Sequence, residues 1–353
     1  MKVGIIGCGG IANVHAWVLE QMEDVEIAAL CDIDENKAKA LKSNLLKGRE
    51  VDTGRGIQTY SDWHEMLRQD LDVVHICTPH FLHASMAVEA LDKGKAVLME
   101  KPCGISMKDF EALKIADEAH PGKLGFCFQN RYNETTKLMD KLICGGRIKE
   151  TGCDGRIGEV GCCGRIGEVI GARAFVTWRR DENYYLESPW KGKLETEGGG
   201  ALINQSIHTL DLLLRYLGEP VKVEGCISNH HLPGVIEVED TVEAWMEFPK
   251  GKRACFYASN GYVADAPILL EVQGTRGRIC MNGSEVSVWP VRGKVERYMC
   301  EQEKGIGKSY WGCGHRACIR DFYWTLSNGG EFQNCLAGVE NTFTTMMRIY
   351  GRK

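Results

Sequence analysis

A chain of 353 residues is too long for one ordinary compact core and suits two domains of unequal kind. With 44% hydrophobic and 26% charged residues and a formal charge of −5, it has no overall pull toward nucleic acid or an anionic membrane, so neither is an expected partner. No stretch of about 18 apolar residues suggests a span, and MKVGIIGCGG runs directly into a strand pattern, which places the expected location in the cytoplasm.

The first third alternates strand and helix. KVGII (2–6) and VEIAALC (25–31) read as strands around a helical pattern at 10–22, and DVVHICTP (72–79) and AVLME (96–100) flank another at 82–93. Continuous apolar strands alternating with helices predict a parallel sheet buried on both faces. After a helix at 106–120, the turn at His120-Pro121-Gly122 closes a first domain, 1–122, and leaves 123–353 as a second.

Chemistry concentrates in the first strand-to-helix turn. Gly7-x-Gly9-x-x-Ala12, with Gly10 and Ile11 inside it, has the close-approach backbone that a pyrophosphate needs at a helix N-terminus. Asp32 ends the next strand about 20 residues later, where a carboxylate accepts the ribose hydroxyls. Asp32 and Asp34, with no arginine beside them, repel a 2′-phosphate, so NAD is the expected cofactor rather than NADP. Strand ends on the carboxyl side of such a sheet face the ligand, which adds Thr78, Pro79, His80 and Glu100 to the expected cofactor site, with His83 and Gln129 counted beside them. Lys101, between Glu100 and Pro102, is placed to bring an ammonium to a substrate hydroxyl.

The second domain reads as a mostly antiparallel sheet from ARAFVTW (172–178), VKVEGCIS (221–228), TVEAWMEF (241–248), RACFYAS (253–259), ILLEVQGT (268–275) and GRICMNG (277–283). Between the first two lies EGGGALINQSIHTLDLL. Spacings of four and three there put Asn204, His208 and Asp211 near one helical face. Arg131, Trp178, Arg179, Tyr185 and Trp190, with Asp211 from that helix, are candidate walls for a polyhydroxylated ligand, since aromatic faces and polar or guanidinium partners suit sugars.

Three near-copies at a nine-residue period begin at Gly146, Gly155 and Gly164 and read as a tandem insertion in a surface loop leading into the strand at 168–178. Cys313-x-His315-x-x-Cys318 offers three ligands where a closed zinc site needs four, so no metal is expected. The 16 cysteines sit in core-like segments and are expected to be reduced thiols.

GIIGCGGIA, ICTPHFLHASMAVEALDKGKAVLMEKP and GGGALINQSIHTLDLL, in that order and spacing, resemble the Gfo/Idh/MocA family of nicotinamide-dependent oxidoreductases. The resemblance implies an α/β protein: an N-terminal Rossmann parallel sheet, then an α/β domain with a large, mostly antiparallel open sheet that also makes contacts in a homo-oligomer, a dimer or tetramer. It implies Lys101 beside the reacting carbon and His208 beside the substrate, with hydride passing between NAD and a secondary alcohol of a sugar, glycoside or cyclitol. Many members carry Asp where this chain has Asn204, and an amide cannot take that proton. Two other readings stand beside the dehydrogenase: a glycosidase that retains NAD and works by transient oxidation and elimination, and a nucleotide-binding partner that has lost turnover.

Overall fold

The computed structural model describes residues 1–47, 56–145, 164–301 and 313–352, which fold as two compact units. The first takes Met1–Gly104, Lys108–Gln129 and, after a long excursion, the described residues 313–336; the second takes Ile105–Met107, the described residues of 130–301, and Ala337 to 352.

Six parallel strands form the first unit: β1 (Lys2–Ile6), β2 (Glu26–Cys31), β3 (Gln58–Tyr60), β4 (Val73–Ile76), β5 (Ala96–Glu100) and β6 (Leu124–Cys127), in the order β3-β2-β1-β4-β5-β6. Every residue of β4, β5 and β6 is buried, which is why these segments carry apolar runs instead of alternation. The sheet takes in one strand beyond residue 122, because β6 pairs with β5 from Val97↔Leu124 to Glu100↔Cys127. Helices α1 (Gly10–Leu19), α2 (Glu35–Leu46), α3 (Trp63–Leu67), α4 (His83–Asp92) and α5 (Met107–Ala119) connect the strands. The strand order reverses between β1 and β4, and at such a switch point a crevice opens at the carboxyl edge. Helix α9 (His315–Asn328) packs against α1 and β6 of this unit.

In the second unit, α6 (Glu134–Cys144) precedes β7 (Val169–Thr177), α7 (Glu182–Leu186), α8 (Ile207–Leu217), β8 (Lys222–Ser228), β9 (Thr241–Glu247), β10 (Arg253–Ser259), β11 (Leu269–Gly274), β12 (Gly277–Asn282), β13 (Glu285–Pro290) and β14 (Glu296–Met299). These eight strands form one sheet in the order β14-β13-β12-β11-β7-β10-β9-β8, antiparallel except for the β7–β10 pair. Helices α8 and α6 pack on it, and α10 (Leu336–Ile349) follows α9. Strands β13 and β14 lie beyond the six segments legible in the sequence.

The first two copies of the nine-residue repeat, 146–163, lie outside the described residues. The third is built into the fold: Arg165 donates its backbone N–H to the Leu142 carbonyl at 2.8 Å, and a Cβ on Gly164 would collide with the Ile143 carbonyl oxygen. Gly145, at φ 66°, ends α6 in a left-handed turn. The described residues that flank 146–163 therefore stand side by side. Deleting 146–163 should leave unfolding free energy within about 1 kcal/mol, because loop entropy changes slowly with length; aggregation or a large drop in chemical-denaturation midpoint would show the repeat to be integral.

Candidate active site

In the first unit the glycine turn has two unlike glycines. Gly7 has φ +86° and a Cβ there would stand 2.6 Å from the Cys77 carbonyl oxygen, so this position admits no side chain. A Cβ on Gly9 would meet nothing within 4 Å. Gly9 and Gly10 are exposed at the start of α1, where no N-cap side chain takes up the first N–H groups of the helix. That is the room and polarity that a pyrophosphate fits. Ile11 is half-buried and Ala12 fully buried under the turn.

Asp32 is placed by two backbone donors: the Cys8 N–H reaches one carboxylate oxygen at 2.8 Å and the Asp34 N–H the other at 2.9 Å. Both oxygens keep lone pairs for a ribose diol. Because Asp32 and exposed Asp34 put two anions at this edge, NAD should bind at least about tenfold more tightly than NADP. Asp32→Asn, which keeps an acceptor for Cys8, should narrow the gap. Dissociation constants for both dinucleotides test this, and equal or tighter NADP binding by the unmodified protein would refute it.

Thr78 and Pro79 lie half-exposed after β4. His80 and His83 are buried. His83 sits between two turns, its Nδ1 2.8 Å from the Pro102 carbonyl oxygen and its Nε2 2.9 Å from that of Thr78. Those contacts make it a staple that ties the Thr78 turn to the Lys101-Pro102 turn. Gln129, also buried, starts a short helical turn after β6.

Glu100 ends β5 and is 6% exposed. Its Oε2 accepts the Lys101 backbone N–H at 3.3 Å, and its Oε1 accepts from His15 Nε2 at 3.0 Å. His315 Nε2 stands 3.5 Å from the same Oε1. Burial by itself would raise the Glu100 pKa, but the hydrogen bonds offered by His15 and His315 outweigh it and hold the carboxyl well below its ordinary range. The Cys313-x-His315-x-x-Cys318 spacing is divided in space: His315 faces Glu100, while Cys318 Sγ accepts from Asn334 Nδ2 at 3.4 Å. All described cysteines are free thiols.

In the second unit, Asn204 lies in a π-helical turn, Ala201–Ser206, and only His208 and Asp211 lie on α8. His208, in the first turn of α8, is buried. Asn204 Nδ2 donates to Glu197 Oε1 at 2.5 Å, and the Gly192 N–H donates to Glu197 Oε2 at 2.5 Å. Burial raises the Glu197 pKa to about 7 against the pull of these two donors. A carboxylate that titrates near neutrality thus sits within hydrogen-bond reach of the Asn204 amide. Sequence reasoning missed Glu197, since its only mark was a place before a glycine run.

Asp211 is spent elsewhere. Arg131 grips it through Nε (2.8 Å) and Nη2 (2.6 Å), Thr342 Oγ1 adds a bond at 2.7 Å, and both charged side chains are almost fully buried. Arg131 also donates to the Gly338 carbonyl at 2.8 Å. These two residues, expected on a ligand wall, form a structural pair. Trp178 is buried with its Nε1 on the Ala266 carbonyl, and Arg179 is exposed. The buried guanidinium is its neighbour Arg180, 5.0 Å from the Trp178 ring centre and 5.4 Å from that of Tyr184. Tyr185 is buried and accepts from Asn260 Nδ2 at 3.0 Å; Asn260 also reaches Gln205 Oε1, and Gln205 Nε2 reaches the Tyr184 hydroxyl. Trp190 is half-buried.

A reversing parallel sheet, an open glycine turn and an acid just after the next strand define a dinucleotide-binding Rossmann fold. Residues 1–124 match the model of an oxidoreductase family with an NAD-binding Rossmann fold, and residues 162–280 match the GFO/IDH/MocA C-terminal domain. The chain belongs to the Gfo/Idh/MocA family of NAD-binding oxidoreductases. It is 27% identical over 147 residues to glucose-6-phosphate 3-dehydrogenase of Bacillus subtilis, which covers 42% of this chain and 39% of that protein. To myo-inositol 2-dehydrogenase of Thermotoga maritima it is 22% identical over 284 residues, 79% of this chain and 74% of the other. A levoglucosan dehydrogenase in complex with NADH and levoglucosan superposes with a TM-score of 0.80 at 19% identity, over 99% of this chain and 97% of that one. Among the described residues no helix is long and apolar enough to cross a membrane.

Proposed function

We propose that this protein is an NAD-dependent dehydrogenase that oxidises a secondary alcohol of a sugar, glycoside or cyclitol. The observation that carries the reading is the pairing of a built dinucleotide turn with a strand-end lysine in the first unit, Lys101 held by Glu100 at its backbone. The relatives named for sugars and inositol supply the substrate class. Bound NAD would supply the hydride acceptor. Gly7, Gly9, Gly10, Ile11 and Ala12 would hold its pyrophosphate and Asp32 its ribose. Lys101 donates a hydrogen bond to the substrate oxygen and His208 accepts the hydroxyl proton.

Asn204 is an orienting group. Its amide nitrogen is committed to Glu197, which turns its carbonyl oxygen the other way. Around it, Gln205, Asn260 and Tyr184 form a connected set of donors and acceptors of the kind that recognises several hydroxyls. The chain is proposed to work in the cytoplasm as a homo-oligomer, dimer or tetramer; its β8 edge leaves Val221 and Ile227 exposed, and sedimentation of the purified protein checks the state.

A screen of sugars, glycosides and inositols with NAD, following absorbance of the reduced nicotinamide, tests the function. Net NADH formation with an oxidised product supports it. Release of free sugar from a glycoside without net NADH would replace it with a glycosidase, and NAD binding with no response to any member would leave a nucleotide-binding partner.

A further inference from the structure

Beneath the carboxyl edge of the first sheet lies a row of buried polar groups that leads to Glu100, and its other members have no part in the proposed reaction. Tyr323 and His315 come from α9, His15 from α1, His75 from β4 and Glu100 from β5, and all five are buried. The Tyr323 hydroxyl stands 2.9 Å from His75 Nε2, His75 Nδ1 stands 2.7 Å from His15 Nδ1, and His15 Nε2 stands 3.0 Å from Glu100 Oε1.

One placement of protons satisfies the row. Burial lowers the pKa of His15 and, well below its ordinary value, that of His75, so both rings are neutral and each carries one N–H. An ionised Glu100 can only accept, so His15 must carry its proton on Nε2. Its Nδ1 is then bare, so His75 must donate from Nδ1. That leaves His75 Nε2 as the acceptor of the Tyr323 O–H, whose pKa burial raises well above ordinary. Every bond points the same way, toward the carboxylate.

The strand order says what that charge faces. Asp32, the proposed ribose acceptor, directly follows β2; the pyrophosphate turn follows β1; β4 and β5 continue along the same edge on the far side of the turn. A dinucleotide laid from β2 across β1 carries its nicotinamide toward β4 and β5, and Glu100 is the last residue of β5. We infer that Tyr323, His75 and His15 are positioning residues that hold Glu100 as a fixed buried anion, and that this anion makes the protein favour the positively charged oxidised nicotinamide over the neutral reduced one. The inference rests on the cofactor assignment and is independent of the substrate.

Separate dissociation constants for NAD and NADH, measured on the full chain without substrate, test it. Glu100→Gln keeps the shape and an acceptor for His15 but removes the charge, so the preference for NAD over NADH should fall about tenfold, the scale of a charge at several ångströms in partly screened surroundings. Tyr323→Phe removes the first donor and should shift the ratio the same way by about threefold. A merely structural role would weaken both forms equally. An unchanged ratio in Glu100→Gln, or in Tyr323→Phe should the first variant not fold, overturns the inference. So does one tightly held divalent metal per chain by elemental analysis, lost in His315→Ala, because His15, Glu100 and His315 offer ligand atoms within 4.8 Å of one another. Loss of sugar oxidation with the ratio shift intact would sink the proposed reaction and leave this inference standing.

Discussion

Lys101→Ala and His208→Ala should each lower substrate-dependent NAD reduction by about 10² or more, the scale of general acid–base groups, with NAD affinity nearly unchanged. Neither side chain is part of the glycine turn or the ribose acceptor, so binding should survive while chemistry fails. The double variant should be little worse than the worse single one, because residues that serve one step are not additive. Near-normal turnover in Lys101→Ala would reduce the lysine to a strand end and remove the proposed mechanism. Asn204→Asp is the informative companion. It would set a second carboxylate 2.5 Å from Glu197 Oε1, where two anions cannot both ionise, so the pair would keep a proton above the value of about 7 that Glu197 has alone. The pH–rate profile of that variant should therefore move toward alkaline pH. A profile that stays in place would detach Glu197 and Asn204 from the reaction.

The second large effect concerns stability. Arg131→Ala or Asp211→Ala should each cost about 3–5 kcal/mol, because removing one partner leaves the other charged group buried without its counter-ion. Arg131→Lys should recover only part of this, since a point ammonium cannot make both bonds that Nε and Nη2 now make to the two carboxylate oxygens. Replacing both partners by apolar residues of similar volume should cost less than the two single changes together. Denaturant unfolding of the set measures all of this. A loss below about 1 kcal/mol, together with a raised KM, would return Arg131 to the ligand wall where its sequence context had suggested it.

Much of the first unit was legible because its signals are local. The spacing of Gly7, Gly9 and Ala12 and the acid that follows β2 are set by one turn and one βαβ repeat, so a few dozen residues carry the information. The apolar runs of β4 and β5 were readable for the same reason: burial on both faces leaves no polar position to interrupt them. What only the tertiary structure decided depends on residues far apart in the chain. His15 meets Glu100 across 85 positions and His75 meets Tyr323 across 248, so no spacing rule could have gathered them around one carboxylate. Arg131 and Asp211, 80 positions apart, each looked available for a ligand, and only packing showed that they satisfy each other. Even the short stretch at Asn204 escaped the pattern, since a 3.6-residue period assumes an α-helix and Ala201–Ser206 takes the wider π turn that brings the amide onto Glu197. Local sequence sets backbone conformation and exposure period; which buried charge answers which is settled only when distant segments exclude water together.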